Sequence, residues 1–474
     1  MMAKYLSPLL AASAMLFASS GAVGSETDRL MELLIEKQVL TQEEAEAIRS
    51  EAKVEQKPLV GQEFGYEPTA PLAVDEGAGI YVRRFGVETA DGSERFRLRG
   101  RVQFDVGFAD WGSDMQNVAR QGHELPEYGA IFRRLRLGAL GIMREKFEWQ
   151  LEMEFSENEV DLANAYMAYL MDHGGRLAFG YFKEPFGMEY ATSSRYITFL
   201  ERALPADAYK VNREPGIMYE TIQPNWYVGA GIFGSGIDYD RTVEEGFALN
   251  LRGSFAPYLV GKDYVHIGAG INYRENGIDR SNNDAWLPVR LRAREGTRIM
   301  DIRLIGRDDL EGVKNFTRTN LEFAAGQGSW WTQAEYYRVD LSIDLNPDRG
   351  DVRIDDDSLT LDGWYVYTGY FLTGESKPYR AFSGDYGQLR PNANFSPSQG
   401  TWGAFELALG YSKADSEEHT RPGRGQKGER WVLGLNWYLT PEVLTRFNLI
   451  YQEGERAEFK DDGLILAARF QYIF

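Results

Sequence analysis

The stretch Gly463–Phe474, with the sequence GLILAARFQYIF, alternates between two kinds of side chain along its whole length. Every second position is apolar: Leu464, Leu466, Ala468, Phe470, Tyr472 and Phe474. The positions between them are mixed, as in a strand with one face on lipid and the other on a space shared by side chains and water. An exposed terminal strand leaves an open edge, which closure into a barrel removes. We therefore expect a transmembrane β-barrel.

The beginning of the chain predicts export. Lys4 precedes the apolar run Leu6–Ala18, and small residues follow before the first acidic residue, Glu26. This order is typical of a secretory signal peptide, which we assign to residues 1–24. The alternative is a membrane anchor, but the run is shorter than the roughly 20 residues that a bilayer requires. We expect the exported chain in the bacterial outer membrane.

Composition restricts the remaining possibilities. The mean hydropathy is −0.41 and no later segment offers 18 consecutive apolar residues, so membrane spans must be strands. The absence of cysteine excludes disulfides and thiolate metal sites. The histidines are far apart and lack the spacing of zinc ligands: His123, His173, His266 and His419. We expect no catalytic residue, no metal site, no cofactor and no nucleic-acid partner.

The exported chain divides into three parts. Residues 25–57 carry apolar residues at helical spacing, and Thr41 with Glu44 forms a capping box before a second short helix. This segment is either a small coiled-coil bundle between subunits in the periplasm or a weakly ordered tail. Residues 58–79 are rich in Pro and Gly and are predicted to be a linker. The barrel domain is assigned to residues 80–474.

Within the barrel domain, clusters of Gly, Asp and Asn separate strands of period two. In Phe96–Phe108 one face is apolar, and the other carries Arg97, Arg99, Arg101, Gln103 and Asp105. A slip of one residue would turn charges into lipid, at about 2–4 kcal/mol for each Lys or Arg near the midplane. Such segments number about sixteen. The predicted fold class is all-β: a transmembrane antiparallel β-barrel of about 16 strands, preceded by a short N-terminal helical segment.

A barrel of this size is expected to enclose water instead of a packed core, so passage of solutes is its natural function. The pattern leaves short turns on one side and long loops on the other. The candidate long loops are Trp111–Gly129, Lys183–Glu214, Gly374–Ser398 and Ser412–Gly428. We expect Lys183–Glu214 to fold inward.

Three strings together resemble one family, the phosphate-selective porins of types O and P. They are FRRLRLG at residues 132–138, GYFKEPFG at residues 180–187, and the segment from Ala191 to Arg202. The resemblance covers the whole barrel, including its last strand. It implies a homotrimer of sixteen-stranded barrels, each narrowed by an inward loop and lined with basic residues that pass anions, phosphate above all.

Arginines recur at alternate positions in two places. Arg290, Arg292 and Arg294 would point the same way on an extended chain, about 7 Å apart, with Arg298 beyond them. They resemble the arginine ladder of the family, along which an anion exchanges between guanidinium groups. The alternative is an arginine-rich loop exposed to lipopolysaccharide phosphates. Arg97, Arg99 and Arg101 form a second ladder by the same geometry.

The resemblance also implies a filter at the narrowest point, formed by Arg101, Arg133, Arg134 and Arg202. This chain departs from the family pattern nearby. Glu148 and Tyr190 stand at two lysine positions, Ala163 stands at an aspartate position, and Arg136 replaces a tyrosine. We expect anion preference with less strict selection of phosphate, because loss of both lysines weakens the local potential.

The net charge of −19 opposes an anion channel only if its carboxylates lie in the pore. Most acidic runs fall in apparent loops, where salt screens them and divalent cations could bridge them to lipopolysaccharide. Alternation turns three glutamates into the lumen, however: Glu148, Glu152 and Glu154. They either form a cation-binding wall that faces the arginines or make the channel weakly selective. The alternative function is thus a general or weakly cation-selective porin without a specific phosphate site. Two other classes are an outer-membrane enzyme and an adhesion barrel with a plugged lumen. An enzyme would need a catalytic motif, and no His lies near a Ser in a recognisable one. An adhesion barrel would carry no steady ion current in a planar bilayer.

Overall fold

A computed structural model describes residues 73–75, 80–83, 85–119, 124–156, 159–236, 242–306, 309–346, 357–415, 426–456 and 459–474. The predicted signal peptide at 1–24 and the helical segment at 25–57 lie outside these residues. Within the predicted linker at 58–79, Ala73–Asp75 forms a strand that pairs with Ile80–Arg83, which in turn pairs with Gly86–Thr89. The rest of the linker range lies outside the described residues, so the bounds of the linker stay a prediction.

Sixteen antiparallel strands form a closed barrel, as predicted. In chain order they are β1 (Arg95–Trp111), β2 (Tyr128–Met143), β3 (Phe147–Glu154), β4 (Asp161–Leu170), β5 (Gly175–Lys183), β6 (Arg213–Ile222), β7 (Trp226–Phe233), β8 (Phe247–Val260), β9 (Asp263–Glu275), β10 (Val313–Gln327), β11 (Trp330–Ile343), β12 (Ser358–Phe371), β13 (Ala404–Asp415), β14 (Gln426–Tyr438), β15 (Val443–Arg456) and β16 (Phe459–Ile473).

Shorter elements lie in the connections. The helices are α1 (Met115–Val118), α2 (Met188–Ala191) and α3 (Leu204–Ala208), with a 3-10 turn at Pro397–Gln399. Two-residue and three-residue strands are Val243–Glu244, Ile278–Asp279, Ala285–Trp286, Ala293–Arg294, Arg303–Ile305, Tyr379–Arg380 and Asp385–Tyr386. No helix in the described ranges is both long enough and apolar enough to span a bilayer.

The terminal strand closes the barrel by pairing with the first strand. β16 pairs with β1 from Gly463 opposite Trp111 to Ile473 opposite Arg101. Phe474 then exchanges two backbone hydrogen bonds with Gly100, at 2.9 and 3.1 Å. A Cβ on Gly100 would lie 2.3 Å from the Phe474 ring, so glycine there lets the ring pack directly against the backbone of β1.

Exposure alternates along the strands as the sequence predicts. On β15, Phe447 and Leu449 are exposed on the outside, while Arg446 and Asn448 are buried on the inside. Leu449 pairs with Leu433 of β14 and Leu466 of β16, which gives one apolar level across three strands. The outer surface therefore matches lipid and the inner surface carries the polar groups.

The connection at residues 372–403 lies at the unexpected end of the barrel. β12 runs toward the short turns, such as the one at 261–262, so the segment that follows it lies at the same end as the end of β16. Short turns of outer-membrane barrels face the periplasm. The prediction that Gly374–Ser398 belongs with the long loops of the opposite end is wrong, because strand direction alternates strictly and the assignment depends on every preceding strand.

The lumen is not uniformly filled with water. Apolar residues of α1, the 184–212 loop and the 287–306 segment pack against inward residues of β10 to β16. Contributors from the strands include Val339, Leu341, Ile343, Leu359 and Leu361, all nearly inaccessible. The expectation of a barrel without a packed core is wrong for this half, because the inner faces of these strands are apolar toward the outer end and the loops cover them.

We predict that Leu449→Arg destabilises the barrel by about 2–4 kcal/mol, because it places a guanidinium in the apolar band. The measurement is the free energy of unfolding in guanidinium for protein refolded into lipid vesicles. Thr445→Arg, four residues nearer the periplasmic interface on the same face, should cost only about 0–1 kcal/mol. An equal loss for the two variants would contradict the assignment of the outer face.

Candidate functional site

The connection at residues 184–212 crosses the lumen, as predicted for the loop Lys183–Glu214. At its start, Glu184 accepts hydrogen bonds from Asn272 (2.8 Å) and Arg274 (2.9 Å) of β9. Further along, the Leu200 N–H donates to Asn448 of β15 at 2.8 Å. The Leu200 carbonyl accepts from Arg469 of β16 at 2.7 Å. Contacts to strands on several sides of the barrel hold the loop across the interior.

One buried carboxylate binds the first turn of α2. Glu335 of β11 accepts the backbone N–H groups of Met188 (2.9 Å) and Glu189 (2.6 Å). It also accepts the hydroxyl of Tyr337 and the amide of Asn320, at 2.9 and 3.0 Å. N–H groups at a helix start carry partial positive charge, so the carboxylate satisfies donors that the helix leaves unpaired. Glu335 therefore fixes the entry of the loop.

A second carboxylate, Glu201, binds the far part of the loop to the barrel wall. Arg133 donates two hydrogen bonds to it, at 2.7 and 3.1 Å, and Arg469 donates a third at 3.2 Å. Arg134 lies 3.9 Å away. Burial alone would raise the pKa of the Glu201 carboxyl, but these three guanidinium groups hold the pKa well below its usual range. Glu201 is thus ionised at neutral pH and neutralises part of the positive charge of the predicted filter.

A β-bulge turns two consecutive arginines inward. Gln103 pairs with Arg134 and Phe104 pairs with Phe132, which leaves Arg133 as the extra residue of β2. In a regular strand, neighbouring side chains point to opposite faces, so one of the two arginines would face lipid. The bulge removes that conflict. It explains how the string FRRLRLG places both charges in the lumen.

The lumen glutamates lie beside the arginines instead of opposite them. Glu152 is 3.4 Å from Arg99, 3.8 Å from Arg101 and 3.5 Å from Arg136. Glu154 binds Arg136 at 2.6 Å, and Glu148 binds Arg176 at 2.8 Å. The hypothesis of a cation-binding wall facing the arginines is wrong, because the partners come from neighbouring strands of the same wall.

An open cavity of about 270 Å³, which we name the constriction cavity, lies between the loop and the wall of β1 to β8. Ten arginines and one lysine line it, against four carboxylates. Among the predicted residues, Arg99, Arg101, Arg134, Arg136 and Arg202 line this cavity. Arg133 instead turns to Glu201, and Arg97 lies outside the cavity lining.

Sequence reasoning missed six of the lining cations: Arg176, Lys183, Arg195, Arg213, Arg252 and Arg380. Lys183 and Arg195 stand inside the strings that carry the family resemblance, and Arg213 follows the inward loop directly, so position near the loop was a usable signal. Arg380 reaches the lumen through the 372–403 segment, whose side of the membrane was predicted wrongly. No pattern in the sequence singled out Arg252.

Four of the lining cations have no carboxylate within 4.0 Å among the described residues: Lys183, Arg195, Arg202 and Arg213. Lys183 donates to the Tyr190 carbonyl at 2.6 Å. Arg202 donates to the carbonyls of Glu189 and Thr192, both at 2.9 Å. These are carbonyls at the end of α2, a usual place for cationic side chains. Because carbonyls do not neutralise a full charge, these cations still act on the passage.

The predicted ladder lines a second cavity, of about 190 Å³. Arg290, Arg292, Arg294 and Arg298 line it together with Lys210, Arg303, Arg318 and Asp207. Val289, Leu291 and Ala293 are buried on the opposite side of the same segment, so the first three arginines share one side.

Each ladder arginine pairs with a carboxylate that sequence reasoning did not identify. Arg290 lies 3.1 Å from Asp309, which also binds Arg292. Arg294 binds Asp301, and Arg298 lies 2.9 Å from Asp207. The carboxylates thus reduce the field of the ladder. No group of three or more His, Cys, Asp or Glu residues in the described ranges is arranged to hold a metal ion.

A closed sixteen-stranded barrel with an apolar exterior and a basic lumen crossed by a loop has the architecture of an outer-membrane porin. The chain belongs to the family Phosphate-selective porin O and P, whose sequence profile matches residues 96–474. It resides in the bacterial outer membrane.

Two relatives and one solved structure illustrate the similarity. A protein of Caulobacter vibrioides is 29% identical over 372 residues, 76% of this chain and 68% of its own length. Porin O of Pseudomonas aeruginosa is 26% identical over 448 residues, 85% of this chain and 95% of its own. OmpT, an outer membrane protein of Vibrio cholerae, matches in structure at 13% identity with a TM-score of 0.47, covering 85% of this chain and all of that one.

We predict that Glu335→Ala loosens the inward loop and raises the single-channel conductance. The substitution removes the acceptor of two backbone N–H groups, at a cost of about 1–3 kcal/mol for each unsatisfied buried group. Planar-bilayer recording measures the effect. Glu335→Gln keeps one carbonyl acceptor and should lie between wild type and Ala; conductance unchanged in both variants would show that Glu335 does not position the loop.

Proposed function

We propose that this porin passes small anions by passive diffusion, with preference for phosphate or related oxyanions. The observation that carries the proposal is the lining of the cavity beside the inward loop, which contains eleven cations and only four carboxylates. Selectivity depends on the charges nearest the narrowest passage, because those farther than about 8–10 Å are screened by salt. The overall charge of −19 therefore does not set the sign of the selectivity.

In this proposal the arginines act in sequence. Arg290, Arg292, Arg294 and Arg298 attract anions at the outer cavity. Arg101, Arg134, Arg136 and Arg202 select at the constriction, and Arg133 supports it by binding Glu201 of the inward loop. Arg97 and Arg99 continue the path toward the periplasmic end. Guanidinium groups offer forked donors that suit oxyanions, so an anion exchanges between neighbours without being held by one.

The second candidate is a general or weakly cation-selective porin without a specific phosphate site. The ion pairs of Glu148, Glu152 and Glu154 favour it, because they offset part of the arginine charge. Titration of a chloride current with phosphate separates the two candidates. Saturating block at low phosphate supports a specific site, whereas absence of competition supports the general channel.

We also propose that the porin is a homotrimer surrounded by outer-membrane lipid and lipopolysaccharide. Family membership supports the trimer. For lipopolysaccharide, the support is a group of outward charges near the loop end of the barrel, among them Lys413 with Glu429 at 2.8 Å and Lys460 with Glu453 at 2.7 Å. There the lysines would bind lipopolysaccharide phosphates, and the glutamates would bind the divalent cations that bridge those phosphates.

We predict that Arg213→Glu lowers the chloride-to-potassium permeability ratio by at least about tenfold. Arg213 lines the constriction cavity, and a unit charge about 8 Å from a permeating ion contributes about 2 kcal/mol at an effective dielectric constant near 20. Reversal potentials in a potassium chloride gradient measure the ratio. Arg338→Glu makes the same change of charge on the exposed outer face of β11 and should leave the ratio as in wild type; an equal shift in both would remove the cavity from the filter.

We predict that Asp309→Asn raises chloride conductance at about 0.1 M salt and leaves it unchanged at about 1 M. The substitution releases Arg290 and Arg292 from their shared partner, and the potential they gain extends about 10 Å at the lower salt but only about 3 Å at the higher. Asp340→Asn on the outer face is the control. A rise that is independent of salt would point to a change in pore width instead.

A further inference from the structure

The constriction cavity contains an apolar patch as well as cations. Tyr166, Phe182 and Met218 line it from the neighbouring strands β4, β5 and β6. Phe182 and Met218 belong to one small cluster of buried apolar residues, against which Tyr166 packs. The rings of Tyr166 and Phe182 meet edge to face, with centroids 5.8 Å apart. A hydrated inorganic ion gains nothing from such a surface.

Glycine makes room for the patch. Gly180 pairs with Tyr166 and has a φ of +127°, which L side chains rarely adopt. A Cβ there would lie 2.4 Å from the Ala165 carbonyl and 3.1 Å from the Tyr166 Cβ. The wall is therefore bare beside the Tyr166 ring, which is half-buried and faces the cavity.

Cations without carboxylate partners lie at the end of this patch. Lys183 follows Phe182 in the chain and pairs in register with Arg213 of β6. Arg202 completes the group from the inward loop, close to the ring of Tyr190 at 5.4 Å, and Lys183 lies 4.7 Å from the same ring. The cavity thus has a charged end and an apolar side, and Arg176 lies over the Tyr166 ring at 5.1 Å between them.

A small inorganic ion would use only the charged end of this cavity and not its apolar side. Seven of the eleven lining cations already have a carboxylate within 4.0 Å, so the charge available to a solute is concentrated at Lys183, Arg195, Arg202 and Arg213. A solute that also carries a flat apolar ring would gain contact with Tyr166 and Met218. The cavity, at about 270 Å³, lies just below the range of about 300–1,000 Å³ for small-molecule sites, so it suits a solute with a single ring.

We propose that the preferred solutes are small aromatic acids, in which a ring carries a phosphate or carboxylate group. The acid group binds Lys183, Arg202 and Arg213, and the ring lies against Tyr166 and Met218. This inference rests on the proposed passage of anions and specifies which anions gain most. Inorganic phosphate passes by the same route but leaves the apolar side unused.

The test compares phenyl phosphate with inorganic phosphate as blockers of chloride current through the full-length protein in planar bilayers. We expect half-block by phenyl phosphate at a concentration roughly three- to tenfold lower, which is the gain expected of one aromatic contact. Equal or weaker block by phenyl phosphate overturns the inference. A wild-type channel without any anion preference overturns the proposed function as well, so the two failures are distinguishable from the reversal potential.

Variants of one residue separate ring contact from other effects. Tyr166→Gln removes the ring and should abolish the difference between the two blockers, whereas Tyr166→Phe should keep it. Tyr128→Gln makes the same change at an exposed position on the rim and should retain the wild-type ratio. Met218→Gln tests the same patch from β6 if Tyr166→Gln fails to fold. A ratio that survives both Tyr166→Gln and Met218→Gln places the ring elsewhere and overturns the inference.

Discussion

The ladder of backbone hydrogen bonds that joins β16 to β1 is the constraint on which the rest of the molecule depends. In hydrocarbon an unpaired peptide group costs several kcal/mol, so the sheet has to close on itself. Closure at Gly100 and Phe474 satisfies the last donors and acceptors of the terminal strand. Because the backbone satisfies itself, the inner side chains are free to carry charge.

That freedom is limited by the loop that crosses the lumen. The loop brings its own backbone N–H and carbonyl groups into the interior, and they need partners there. Glu335 accepts N–H groups at the start of α2, while Lys183 and Arg202 donate to carbonyls at its end. Lys183 and Arg202 therefore both line the passage and hold the loop. A change in these side chains would therefore alter both the position of the loop and the charge of the constriction.

Alternation in the sequence was sufficient to predict the strands, their outer faces and the barrel class, because lipid penalises every wrongly turned charge. It was insufficient at Arg133, where a bulge breaks the alternation. It was also insufficient at Gly374–Ser398, because the side of the membrane depends on whether an even or an odd number of strands precedes the segment. Spacing also identified the arginines at 290–294, but not Asp309 and Asp301. Those pairings require the fold of the segment, which period-two patterns do not encode.

The electrostatic potential in this lumen depends on the distances between charged groups and not on the total number of charges. The carboxylate of Glu152 is close to three arginines and that of Glu201 to four, so their charge holds wall and loop together. An anion in the cavity is then attracted chiefly by the cations that bind only carbonyls, amides or rings, since a paired guanidinium presents a dipole instead of a net charge. Selectivity in such a pore depends on which arginines lack carboxylates, and a count of basic residues in the sequence overestimates it.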